Sequence, residues 1–146
     1  MSRLTWAGLL ICASLGNSEA ANAQDPIEGQ WFDEKGNARI EIYRAADNKF
    51  YGKVAWLREP LRNGRPKVDE NNPDPKYRSQ PILGMMVLSG FVKDGDEYED
   101  GIVYDPKHGK RYSCKMKLEG DRLEVRGYMG ISLVGRSTTW TRADSK

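Results

Sequence analysis

The chain has 146 residues, 38% hydrophobic and 30% charged, the make-up of one ordinary globular domain. Lys and Arg number 23 against 21 Asp and Glu, so the formal charge of +2 comes from interspersed signs, with no basic field for nucleic acid or anionic lipid. Two cysteines, Cys12 and Cys114, are too few for a disulfide framework or a Cys-type zinc site, which leaves an apolar core to stabilise the fold.

Residues 1–23 read as an export signal. Arg3 supplies a positive start, Leu4 to Leu15 an almost uninterrupted apolar stretch, and Ala21-Asn22-Ala23 a small-residue cleavage site. The apolar stretch falls well short of the roughly 20 residues a spanning helix needs, and no later segment replaces it. Ile11 before Cys12 stands where a lipoprotein signal wants a small residue. The expectation is a mature domain of residues 24–146, periplasmic or secreted, with no transmembrane segment. Its single thiol, Cys114, has no intrachain partner.

From residue 29 to residue 142 the dominant period is two, which predicts an all-β domain. Strands are predicted at 29–32, 38–44, 49–57, 85–92, 97–104, 110–118, 122–128 and about 132–142, separated by turn-forming clusters such as Glu34-Lys35-Gly36-Asn37, Asp47-Asn48 and Lys93-Asp94-Gly95-Asp96. Phe50, Gly52, Val54 and Trp56 share one side of the third strand; Tyr98, Ile102 and Tyr104 take alternate positions in the fifth. Tyr112, Cys114, Met116 and Leu118 alternate most cleanly, with Leu123 and Val125 continuing the apolar face. Between Arg58 and Gly84, five prolines exclude a ladder and a long helix, leaving a long loop of the kind that forms lids or binding sites. Eight short antiparallel strands joined mainly by tight turns predict an up-and-down barrel, whose interior is either filled or holds one small ligand.

Gly29-Gln30-Trp31 opening the first strand, with Arg142 after the last, resembles lipocalins and other calycin barrels. The resemblance implies that Trp31 closes the barrel floor and Arg142 packs across it. A second resemblance spans nearly all of the mature chain. Gly52-Lys53-Val54-Ala55-Trp56, Asp69 with Asn72-Pro73-Asp74 and Arg78, Gly101-Ile102-Val103-Tyr104-Asp105-Pro106, Gly109-Lys110 with Tyr112, Arg126-Gly127-Tyr128, and Leu133 with Gly135-Arg136 ahead of Trp140 are similar to the DUF2147 family. That family, small exported bacterial proteins of unknown function with a calycin-like fold, implies the barrel and the envelope location but no activity.

His108 sits in a turn beside Lys107 and Lys110, with no second imidazole for a metal; Asp105 and Tyr104 are close enough in sequence to orient it. Cys114, between Tyr112 and Met116 on the inward side, reads as an inert core thiol. The oxygens of Asp69-Glu70-Asn71-Asn72-Pro73-Asp74 could attract Ca2+, although Pro73 and the missing sixth-position Gly depart from an EF-hand. The alternative is local turn bonds, with Asp69 or Asp74 pairing Arg78 to hold the loop at the barrel mouth. Arg126 and Tyr128 resemble the carboxylate clamp of fatty-acid-binding barrels, but they lie on the parity opposite Leu123 and Val125 and face solvent unless Gly127 marks a bulge. Tyr104 and Tyr112 flank one turn and are placed on the same rim.

The leading expectation is an exported lipocalin-like barrel that binds a small amphipathic or hydrophobic ligand, with Ile42, Val54, Trp56, Met116 and Val125 lining its interior. Asp69, Asn72, Arg78, Tyr104, Tyr112, Arg126 and Tyr128 are the candidate ligand-binding residues. The alternative is an envelope module with a filled barrel that binds protein or glycan. An enzyme acting through Asp105, His108 and a tyrosine stands third, because no nucleophile, base and orienter come together in the sequence. No metal or cofactor is implied.

Overall fold

A computed structural model describes residues 24–131 and 133–143; the expected export signal lies outside them. Ten strands occur among the described residues: β1 (Gly29–Phe32), β2 (Ala38–Arg44), β3 (Phe50–Leu57), β4 (Leu61–Arg62), β5 (Arg65–Pro66), β6 (Met86–Asp94), β7 (Glu97–Asp105), β8 (Lys110–Glu119), β9 (Arg122–Tyr128) and β10 (Gly135–Arg142). Eight of them close into one antiparallel barrel in the order β1-β10-β9-β8-β7-β6-β3-β2, and β4 and β5 form a separate hairpin. The predicted eight-stranded, calycin-like up-and-down barrel is the fold, with β10 beginning at Gly135 rather than near residue 132.

Closure is uneven around the wall. The seam between β1 and β10 holds only two residue pairs, Trp31 with Arg142 and Phe32 with Thr141, both near the chain ends. Above it, Gly135 to Trp140 take their ladder partners from β9. The side chains of Trp31, Ile42, Phe50, Leu88, Phe91, Tyr98, Met116 and Leu123 are wholly buried inside. Packing reaches high in the barrel: a Cβ added at Gly101 would lie 2.3 Å from the Phe91 ring, so only glycine lets that ring cross the interior.

Three predicted placements differ. Tyr98 and Gly101 are successive inward residues, because a bulge at residues 99–100, with Asp100 at φ 60, inserts one residue into β7. Parity therefore reverses: Gly101 and Val103 face in, and Ile102 and Tyr104 face out. A second bulge between β2 and β3 pairs Ile40 with Val54 but Arg39 with Trp56. Trp56 consequently stands on the outer face, stacked under the Arg39 guanidinium and edge-on to Phe32, and does not line the interior. Finally, the proline-rich connection does contain a ladder, the β4–β5 pair, together with one 3-10 turn at Pro75–Tyr77. Pro66 is tolerated because it ends a two-residue edge ladder, where its missing N–H is not needed.

Candidate functional site

At the end where β1 begins and β10 finishes, the barrel is shut by the segment just before β1. The Trp31 Nε1–H donates to the Ile27 carbonyl at 2.8 Å, and the Arg142 guanidinium lies 4.0 Å from the Trp31 ring centroid. Arg142 also donates to the carbonyls of Glu28 (2.9 Å) and Pro26, so one side chain ties both chain ends together. Asp25 reaches further, accepting from Lys93 and from the Tyr98 hydroxyl on β6 and β7. Burial pushes the Asp25 carboxyl up, but those two bonds and the Ile27 amide outweigh it and hold its pKa below the usual carboxylate value. This end is a floor.

The opposite end carries the long connection, residues 58–85, whose Ile82 and Met85 join the core while Asp69 meets the outer face of β7. The Asp69 carboxylate is 1% exposed and accepts the Tyr104 hydroxyl at 2.8 Å on both oxygens and Asn72 Nδ2–H at 2.8 Å. Tyr104 can meet it because the β7 bulge turns that ring outward, with the Arg111 guanidinium 5.1 Å above it. Burial, then the hydrogen bond to Asp69 and its charge, push the Tyr104 phenol up to about 12. Asn72 Oδ1 accepts from the Asp74 amide, and Asp74 Oδ1 accepts from the Lys76 amide to cap the 3-10 turn. Of the residues that suggested Ca2+, Asn72 and Asp74 thus use side-chain oxygens in turn bonds, Asp69 accepts from Tyr104 and Asn72, and Glu70 pairs with Arg62. Arg78 holds the loop through the Asn72 backbone carbonyl (2.8 Å), not through Asp69 or Asp74 as the sequence suggested.

The same connection locks onto the β7–β8 turn. Asn71 Nδ2–H donates to the Lys107 carbonyl at 2.8 Å. Gly109, at φ 62, comes so close that a Cβ there would lie 1.8 Å from the Asn71 carbonyl oxygen. In that turn His108 Nδ1 is 2.6 Å from Asp105 Oδ2, so a carboxylate does orient the imidazole. The Cys114 thiol is wholly buried and raised by that burial to about 12, which keeps it protonated and unreactive.

Tyr112 separates from the other aromatic candidates. It pairs with Val103 on the inward register of β8, half-buried near the open end, whereas Tyr104 is outside; the two tyrosines do not share a rim. β9 runs without a bulge, so Arg126 and Tyr128 stand on its outer face, Arg126 bonding Ser137 Oγ at 3.1 Å. A shallow outer groove of about 240 Å3 beside Arg126 is lined by Lys115, Lys117, Glu97 and Glu124. The inward position level with that clamp is Gly127, and its partner across the ladder is Arg136. Arg136 is exposed at the mouth and makes no ion pair with any described residue; Lys110, two residues before Tyr112, occupies the same inward register. Sequence reasoning used Arg136 only as part of a family pattern. Its parity relative to Gly127, read across a loop of uncertain length, was the available signal.

The family model described as an uncharacterized protein conserved in bacteria (DUF2147) matches residues 29–142. The chain belongs to the DUF2147 family. It is similar in structure to protein HP1028 from the human pathogen Helicobacter pylori, described as belonging to the lipocalin family, with a TM-score of 0.73, 22% identity, and coverage of 84% of this chain and 86% of that one. At that identity the likeness concerns the fold, a lipocalin-like barrel shared by this DUF2147 member. No curated protein matches the sequence. Among the described residues, no helix is long and apolar enough to cross a membrane.

Proposed function

We propose that this DUF2147 protein is an exported binding protein of the periplasm or extracellular space, which takes a small amphipathic anion at the open end of its barrel. The observation that carries this reading is Arg136, a guanidinium on the inward register of the wall with no acidic partner among the described residues. Lys110 adds a second cation on that register, and Val103, Tyr112 and Thr138 supply a half-buried lining below them. Because Phe91 and Leu88 fill the interior beneath, the ligand sits at the mouth with a short tail rather than deep in the barrel. A guanidinium grips a carboxylate or phosphate head with paired N–H bonds, and the tyrosine and aliphatic surface accept the tail.

Calorimetric titration with laurate and with dodecanol tests the reading. Laurate should bind, Arg136→Gln should weaken it by about tenfold or more, and dodecanol should be insensitive to that substitution. A wild-type protein that ignores laurate, with no small molecule released from envelope-purified material in native mass spectrometry, would sink the proposal. The rival reading, an envelope module with a filled barrel that binds protein or glycan, draws its support from the Phe91 ring packed over Gly101. Pull-down of a discrete envelope partner with no laurate binding would favour it.

A further inference from the structure

The loop between β9 and β10 is the most exposed apolar stretch of the described chain. Leu133 is 86% exposed, Met129 68%, Val134 65% and Ile131 62%. Single exposed apolar residues are ordinary, but a contiguous set marks a contact surface. No charged residue interrupts the sequence from Gly127 to Gly135.

The strands at the root of this loop are basic. Of the Lys and Arg on β8 and β10, Lys110, Arg111 and Arg136 lie at the end that carries the loop, whereas Lys115, Lys117 and Arg142 lie further toward the floor. Because Ser113 pairs with Tyr128 and Gly127 with Arg136, the topology brings Lys110, Arg111 and Arg136 around the loop at the open end. Glu119 and Glu124 belong to the floor half of β8 and β9. Asp105, opposite Lys110, is engaged by the Lys107 amide and His108. The near-neutral net charge of the chain is thus compatible with a local set of three cations at the root of this loop.

An apolar tip above a collar of cations suits an anionic lipid surface, with the tip among acyl chains and the collar among headgroup phosphates. A second copy is a poor occupant, since a two-fold contact through this loop would bring identical cationic collars together. We propose that Met129, Ile131, Leu133 and Val134 dock this end of the barrel onto an anionic lipid leaflet, with Lys110, Arg111 and Arg136 against its headgroups. This contact requires no ligand in the barrel.

Co-sedimentation with vesicles of equal parts phosphatidylglycerol and phosphatidylcholine, beside vesicles of phosphatidylcholine alone, tests it. The full-length mature protein should partition at least about tenfold more strongly onto the anionic vesicles, and added salt should weaken that partition. The double substitution Ile131→Asp with Leu133→Asp, at exposed positions, should keep the native circular dichroism and abolish vesicle binding while laurate titration is unchanged. Loss of laurate binding in the wild type would remove the ligand reading and leave this one standing. Wild-type protein that stays in the supernatant, equal partition of the double variant, or a concentration-dependent dimer that the variant dissolves would each overturn the docking proposal.

Discussion

Asp69 is a carboxylate taken out of water, and its side-chain donors are the Tyr104 hydroxyl and the Asn72 amide. Removing one leaves a buried acceptor short of a partner, so Tyr104→Phe should destabilise the protein by about 1–3 kcal/mol in urea unfolding at neutral pH. An effect within experimental error would mean that water reaches Asp69. The phenol has a second consequence. Its pKa rises from 10.0 in the unfolded chain to about 12 in the folded one. The unfolded state then releases its proton first, and stability present below about pH 10 is lost as pH rises through the folded value. The melting temperature of Tyr104→Phe should fall less steeply over that alkaline window than that of the wild type. Arg142 is the other residue on which much depends, since it stacks on Trp31 and donates to two carbonyls of the floor segment. Arg142→Ala should cost about 3 kcal/mol, and Arg142→Lys, which keeps the charge but not the fork, should recover only part of it.

At the scale of elements, the bulges of β7 and of the β2–β3 ladder decide what meets what. β7 places Tyr104 under the long connection only because one extra residue near Asp100 reverses its parity. The alternation of Tyr98, Ile102 and Tyr104 was legible in the sequence; the reversal was not, because a bulge depends on the register demanded by β6 and β8. Trp56 escaped prediction for the same reason on β3. Where no bulge intervenes, as from Tyr112 to Leu118 and from Leu123 to Tyr128, reading by alternation put each side chain on the face it occupies. The docked connection can be tested at Gly109. A Cβ there meets the Asn71 carbonyl oxygen and φ is positive, so Gly109→Ala should release the 69–74 segment. Hydrogen exchange at the Asp69 and Asn72 amides should accelerate by at least about tenfold while core amides of β8 and β9 change little. Unchanged exchange would show that Asn71 yields without undocking.

Across the whole molecule, Asp25 joins the segment before β1 to β6 and β7 on the far side of the floor. Its folded pKa lies below the ordinary aspartate value of 3.8, so its contribution is present above that value and disappears as pH falls through the folded one. Asp25→Asn should therefore be less stable than the wild type at pH 7, with the gap closing at pH values under about 4 in urea titrations. A gap independent of pH would assign the loss to packing instead of charge. The two ends of the barrel also differ: Trp31 and Arg142 shut one, and the other carries Arg136 and the exposed Met129, Ile131, Leu133 and Val134.

Period-two alternation and turn residues are local properties, and by themselves they determined the number of barrel strands and most of their limits, while the meeting of Trp31 with Arg142 was implied by the resemblance to calycin barrels. Tertiary structure alone decided which faces survive the bulges, that Tyr104 serves Asp69 outside while Tyr112 faces inward, and that Arg136 shares the inward register with Lys110. Neighbours along a strand point to opposite sides, so the residues that share a surface come from different strands, and only the register of the closed ladder says which ones meet.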